Sequence, residues 1–351
     1  MPDGSIVSNL IVSGSGNVIN IGAADFPHST QARHYLRMLA VIAAPVANAQ
    51  GDGPPDGPPL DVWGEWERLR SAVEDRDPIT RAAAAWAVVR LQEPTADGLR
   101  DALRVSDAPY QVIHFSCHGN SEGVVLEDRL GRERFLRTAQ LVDILSAAPP
   151  QMLVLNACET LDVARGLLEG TGVRTVIATC KSIYDIEAKL LAQRLYRCLA
   201  AGQTAGEGLT EFRRELLAQL AARDLPRLGK PTERAANVQL IGDGALRLAA
   251  EEPAATAPYV ILHATPHNDP LPMHSVAGFV GRWKELLALA RWFGQTGQRA
   301  FAISGVGGIG KTALALNAAL RHAHQFDALA FASAKDEPDF GPRQVLDALN
   351  A

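Results

Sequence analysis

Apolar and polar positions alternate along this chain in short runs of two different periods. Residues 4–22, GSIVSNLIVSGSGNVINIG, hold two β-rich runs joined by Gly14-Ser15-Gly16-Asn17, the signature of a hairpin. Residues 35–46, YLRMLAVIAAPV, form the continuous apolar run of a buried strand, and the GDGPPDGPP stretch at 51–59 ends it as a loop. Between Val62 and Val73, the residues Trp63, Trp66, Leu69 and Val73 recur at helical spacing and predict an amphipathic helix. A strand over Ala85–Leu91, a helix from Pro94-Thr95 to about Val105 and a strand over Tyr110–Cys117 continue the alternation. A strand pair follows near Gly123–Asp128 and Arg132–Leu136, then a helix over Ala139–Ala147 and strands over Met152–Asn156 and Val173–Thr179. Helices over Ile186–Ala200 and Gly206–Ala222 close the series. Strands alternating with helices at this spacing predict an α/β fold, a mainly parallel sheet with helices on both faces. Periodicity fades over 251–276, so four parts are expected: a β-rich tail (1–27), an α/β domain (35–250), a linker (251–276) and a last segment (277–351).

Composition narrows the function classes. The 351 residues are 47% apolar and 21% charged, enough to bury a sizeable core. With 34 basic against 39 acidic side chains the net charge is -5, which supplies no global field for nucleic acid or an anionic membrane, and neither is expected as a partner. No apolar run reaches 18 residues, and Met-Pro-Asp-Gly-Ser lacks the basic start of a secretory signal, so a cytoplasmic protein is expected. Cys117, Cys158, Cys180 and Cys198 lack the close pairing of a zinc site and are too few for a disulfide scaffold. They read as reduced thiols, with Cys117, Cys180 and Cys198 packed in the core.

The chemistry collects at two strand ends. The strand ending at Cys117 runs into His118-Gly119, and the strand ending at Asn156 runs into Ala157-Cys158-Glu159-Thr160. In a parallel sheet the loops leaving the carboxyl edge converge on one crevice. If the two strands are neighbours, His118 and Cys158 emerge side by side as a Cys-His dyad, with Gly119 offering a backbone N–H to an oxyanion.

HFSCHG at 114–119, GVVLED after it and LNACET at 155–160 resemble the histidine and cysteine blocks of CHAT domains, caspase-like cysteine peptidases of the clan that also holds separase. The resemblance runs from about Leu36 to Leu248 and includes AVIAAPV and the closing NVQLIGDGALRL. It implies a caspase-haemoglobinase-like fold, with His118 as base and Cys158 as nucleophile on a peptide bond of a protein substrate. Several related domains of the clan carry, after the next strand, an acidic residue that can face a basic substrate side chain, and Asp185 matches the position where many CHAT sequences have an aspartate, although Lys181 stands where a tryptophan is usual. Asp185 also directly precedes the helix expected from Ile186, where it would serve as a cap.

A second motif lies downstream. Phe301–Ser304 reads as a strand, followed by Gly305-Val-Gly-Gly-Ile-Gly-Lys311-Thr312 and an apolar helix, the strand, loop and helix context of a phosphate-binding P-loop. Gly305, Gly307, Gly308 and Gly310 would let backbone N–H groups turn toward the phosphates of ATP or ADP, Lys311 would reach the β- and γ-phosphates, and Thr312 would ligate Mg. With Phe279-Val-Gly-Arg282 upstream, GVGGIGKTALA resembles the start of NB-ARC nucleotide switches of the STAND class. A strand candidate at 328–332 carries no following acidic pair, so the P-loop domain reads as incomplete, the chain as a fragment or truncated product, and nucleotide binding as weak.

Val18-Ile-Asn-Ile-Gly22 resembles the core of amyloid signalling motifs, with Asn20 where Gln is usual; a hairpin docked on a sheet edge, or a disordered tail, is the other reading. Together these features describe a regulatory cysteine peptidase controlled by a fused nucleotide switch, with self-association through the P-loop module or the N-terminal motif. The alternatives are an inactive interaction module and an ATP-binding switch for which the α/β domain is only regulatory.

Overall fold

Along β3 (Leu36–Ile42) successive side chains enter two different cores, which is what a strand covered on both faces requires. Leu36, Met38, Ala40 and Ile42 face one layer; Leu39 and Val41 face the other. The computed structural model describes residues 11–12, 18–20, 36–74, 86–106, 109–223, 230–249, 260–263, 279, 281–295, 301–322, 325 and 343.

Seven further strands complete a nine-stranded sheet around β3: β1 (Ile11–Val12), β2 (Val18–Asn20), β4 (Trp86–Arg90), β5 (Val112–Ser116), β9 (Met152–Asn156), β10 (Thr175–Thr179) and β11 (Val238–Gly242), with β12 (Val260–His263) as the ninth member. The order is β1-β2-β12-β4-β3-β5-β9-β10-β11. All pairs are parallel except the outermost two, β1 with β2 and β10 with β11. The expected N-terminal hairpin therefore forms, and β2 docks it on the sheet edge through β12. β12 itself lies in the stretch expected to be linker. Its run Val260-Ile261-Leu262 is β-branched and apolar, and β4 offers it an edge.

One face carries α1 (Val62–Glu74), α5 (Asp185–Ala200) and α6 (Ala205–Arg223), whose Leu69, Leu195 and Phe212 are fully buried in one core with Met38 of β3 and Trp86 of β4. The other carries α2 (Ala96–Val105), α3 (Thr138–Leu145) and α4 (Leu161–Gly170). Thr95 caps α2 by accepting from the Gly98 N–H at 2.9 Å. α4 has no counterpart in the sequence reading: its buried Val163, Ala164 and Leu167 make only a narrow stripe, and Gly166 and Gly170 interrupt the apolar pattern. Outside the large sheet, β6 (His118–Asn120), β7 (Gly123–Glu127) and β8 (Glu133–Arg137) form a three-stranded meander, and α7 (Pro231–Asn237) leads into β11.

Downstream, α8 (Trp283–Phe293) and α9 (Lys311–Arg321) pack Leu286, Leu287, Leu314 and Ala318 against Val46 and Ala47. Arg321 ties the end of α9 to the α/β domain: its Nη1 lies 3.3 Å from both Glu127 carboxylate oxygens, and its Nη2 donates to the Ala44 carbonyl at 2.7 Å. Residues 301–305 are not a strand, contrary to expectation, since they make no ladder with any described strand. The strand candidate at 328–332 lies outside the described residues.

Candidate active site

β5 and β9 are adjacent and parallel, and their register pairs Ser116 with Asn156. Two residues further along each chain come His118 and Cys158, so the expected neighbours leave one sheet edge at matching positions. Gly119 shows how closely the two turns approach. A side chain there would start 3.0 Å from Thr160 Cγ2 and 3.1 Å from Ala157 Cβ, the residues flanking Cys158, so only glycine fits without displacing them.

The turn that presents Cys158 is pinned from beneath. Thr179 Oγ1 donates to the Ala157 carbonyl at 2.5 Å and Thr160 Oγ1 to the same oxygen at 3.3 Å. Glu159 adopts a left-handed φ of 55°, a conformation that costs a non-glycine residue about 1 kcal/mol or more. Strain of this kind persists where surrounding bonds over-determine it, and here it turns the half-buried Cys158 out of the strand.

His118 meets a partner that sequence reasoning missed. Its Nε2 lies 2.7 Å from the Pro58 carbonyl oxygen. A carbonyl only accepts, so Nε2 carries the proton and Nδ1 is left as the basic nitrogen. Gly57 lies against the same ring, where a Cβ would fall 2.5 Å from Nε2. The loop is held in place at Asn48, whose Oδ1 accepts from the N–H groups of Gly51 at 2.8 Å and Asp52 at 3.2 Å, and at Asp56, whose N–H donates to Glu133 Oε1 at 2.9 Å. Its dense prolines were the available signal, since they limit the conformations from which a carbonyl can be aimed. Among the described residues no hydrogen bond joins His118 to Cys158, so this is a resting geometry.

The other cysteines are separated from this chemistry by environment. Cys117 is buried, and burial followed by the proximity of Cys158 pushes its thiol up to about 12. Burial, then Glu211 and Glu207, raises the Cys198 thiol. Cys180 is half-buried rather than core, because it stands one residue beyond the end of β10. All four are free thiols.

A third element closes the site. The Glu159 N–H points to the Lys181 carbonyl at 3.4 Å, which sets the 181–184 segment beside Cys158. Asn237 and Arg234 of α7 hold that segment through the Ser182 carbonyl, at 3.1 and 3.0 Å. Arg234 also lies over the Tyr184 ring at 4.4 Å and pairs with Glu187, its Nε donating to Oε1 at 2.6 Å. The Glu187 bond holds the guanidinium above its ordinary pKa, and Cys158 is among the groups facing it. Asp185 is the first residue of α5 rather than its cap. The cap position falls on Tyr184, whose N–H donates to Glu187 Oε2 at 2.9 Å, so Glu187 is the capping carboxylate.

The residues expected to form a P-loop lie apart, at the start of α9. Gly305, Gly308 and Gly310 have positive φ values of 154°, 76° and 85°, and nothing stands within 4 Å of a Cβ at Gly307 or Gly308. Lys311 Nζ donates to the carbonyls of Gly305 at 3.0 Å and Val306 at 2.9 Å, while Thr312 is exposed in the first turn. This glycine-built turn ahead of a helix N-terminus fits a phosphate chain.

Among the described residues no helix is long and apolar enough to cross a membrane. A search of curated proteins finds no match. Solved structures with a similar arrangement include a secreted C11 cysteine protease from Bacteroides thetaiotaomicron in complex with an irreversible peptide inhibitor, at 11% identity and a TM-score of 0.39, covering 59% of this chain and 66% of that one. The Arg-specific cysteine proteinase gingipain R is similar at 15% identity and a TM-score of 0.42, covering 64% and 50%. The complex of its pro- and mature domains, from Porphyromonas gingivalis, gives 14%, 0.39, 64% and 51%. The chain thus spans between half and two thirds of the length of these structures. The CHAT domain model matches residues 20–228, more than half of the sequence, and the chain belongs to the CHAT domain family.

Proposed function

We propose that this chain is a cysteine peptidase in which Cys158 is the nucleophile and His118 the base. The observation that carries the reading is the delivery of both residues to one sheet edge by adjacent parallel strands, with Gly119 packed against the residues flanking Cys158. Chemically, Nδ1 of His118 takes the Cys158 proton while the Pro58 carbonyl holds the opposite nitrogen in place. The thiolate adds to a peptide carbonyl, the Gly119 N–H stabilises the oxyanion, and the leaving amine departs with the proton from His118. Water, deprotonated by the same imidazole, then cleaves the thioester to give the carboxylic acid and regenerate the thiol.

The 181–184 segment forms the substrate wall, with Asp185 as its acidic residue for a basic side chain. Gly305, Gly307, Gly308, Gly310 and Lys311 would hold the phosphates of ATP or ADP and Thr312 the accompanying Mg, an anionic load at the helix terminus that organises this segment. Arg321 offers the route by which that segment bears on the peptidase. Self-association through the P-loop module or the N-terminal hairpin would complete the switch, in a cytoplasmic setting. The test compares new protein N-termini in cells making the wild-type protein, Cys158→Ala and His118→Ala. Termini present only with the wild type are expected; their equal appearance with Cys158→Ala would overturn the assignment.

A further inference from the structure

A cavity of about 280 Å³ lies at the seam between the α/β domain and the α8–α9 segment, separate from both the Cys158 crevice and the P-loop. One wall is the loop from Pro54 to Leu60, the same loop whose Pro58 carbonyl holds His118. The facing wall is built by Phe279, Trp283, Leu286, Asn317 and Arg321. Ligand sites favour such junctions between packed units, where apolar walls surround a few convergent polar groups.

The polar groups are unevenly matched. Arg90 is 7% exposed, and its guanidinium lies 4.3 Å over the ring of Trp63, which also lines the cavity. Burial first, then Arg321, lowers its pKa to about 10, against the opposing pull of Glu127. The acceptors on the walls already have donors. Glu127 accepts from the Ala44 N–H at 2.8 Å and from Arg321, Asp61 from the Gly64 N–H at 3.0 Å, Asn317 from Arg321 Nε at 3.0 Å, and Gln92 Oε1 from Arg90 Nη2 at 2.9 Å. Gln92 Nε2, in contrast, is shielded from solvent and has no acceptor. A shielded donor without an acceptor is left uncompensated for its lost hydration, so the complementary occupant brings an acceptor rather than a donor.

We propose that this cavity is a binding site for a small aromatic oxyanion, an aromatic or heteroaromatic ring bearing a carboxylate or phosphate. The oxyanion lies toward Arg90 and Gln92 Nε2, where a guanidinium and an amide N–H suit its two oxygens. The ring lies among Trp63, Phe279, Trp283 and the prolines of the loop. Because that loop also holds His118, an occupant braces the histidine from behind. The site stands on its own geometry and does not depend on the peptidase reading.

Benzoate and phenyl phosphate are the probes, benzyl alcohol the neutral control, and the full-length Cys158→Ala chain the protein, so that turnover plays no part. Fluorescence from Trp63 and Trp283 should change saturably with benzoate or phenyl phosphate at millimolar concentration and not with benzyl alcohol. Arg90→Gln should weaken binding at least tenfold. Gln92→Leu, on a partly exposed residue, should weaken it severalfold with the melting temperature unchanged, which covers the case in which Arg90→Gln does not fold. The proposal is overturned if neither anion binds, if the alcohol binds equally well, or if Gln92→Leu leaves anion affinity unaltered.

Discussion

Arg234 and His114 show how single side chains tie this fold to measurable behaviour. Glu187 is 1% exposed on its side chain and Arg234 11%, so replacing Glu187 by Ala leaves a buried guanidinium without its carboxylate and α5 without its cap. A loss of about 3 kcal/mol in chemical denaturation is expected, and a loss under about 1 kcal/mol would show that the pair is dispensable. His114 is fully buried on β5, its Nδ1 2.8 Å from the Tyr196 hydroxyl, and burial lowers its pKa to about 3. Since the folded value lies below the unfolded one near 6.5, the neutral ring contributes stability that is intact above pH 6.5 and lost as pH falls toward 3, at about 1.4 kcal/mol per unit. Wild type should lose about 2 kcal/mol from this source between pH 7 and 5, and His114→Gln should lack that part of the slope in urea titrations at the two pH values. Thiol reactivity offers a third check. Burial holds Cys117 and Cys198 as thiols near neutrality, so iodoacetamide should label Cys158 first; labelling of Cys180 at the same rate would argue against activation by His118.

At the scale of elements, the loop over 51–60 is as much a part of the site as the strands. Gly57→Ala would place a methyl group 2.5 Å from His118 Nε2, forcing apart the loop and the ring. At least a tenfold drop in the rate of Cys158 alkylation is expected, with a change in stability of about 1 kcal/mol or less; an unaltered rate would mean that the Pro58 carbonyl does not orient the base. This loop also marks where sequence reading stopped. The strands leading to His118 and Cys158 were legible because continuous apolar runs such as Met152–Asn156 have few other solutions, whereas their adjacency was only a condition of the reading, which the pairing of β5 with β9 meets. Pro58 itself was not legible as the partner of His118, because its contribution is a backbone oxygen, which every residue has; the dense prolines signal only that the loop is stiff. Arg234 was hidden for another reason: it reaches the site from a helix more than 70 residues after Cys158, and only the antiparallel return of β11 alongside β10 brings it there. Asp185 was taken for a cap because helix starts are blurred by a residue or so in any pattern, and that shift hands the role to Glu187.

For the whole molecule, the bonds of Arg321 attach α9 to the α/β domain, so the proposed nucleotide and peptidase sites would move as one mechanical unit. ATP with Mg should raise the melting temperature of the chain and Lys311→Ala should abolish the increment; a shift that survives the substitution would place the nucleotide elsewhere. Arg321→Ala should leave such binding in place while loosening α9 from Glu127 and the Ala44 carbonyl, detectable as faster amide hydrogen exchange along α9. The seat of β12 between β2 and β4 governs a different property, the timing of assembly on the ribosome. β4 is buried along its whole length, yet the strand that covers its outer edge is made about 170 residues later. At the usual elongation speed that edge waits roughly 10–30 s for its partner. Throughout that interval an apolar row of unpaired backbone groups is open to any other extended chain, including the earlier-made hairpin and a second nascent copy. A slower synthesis rate should therefore lower the share of this protein that reaches its native sheet, and added chaperone should restore it, as measured by soluble yield.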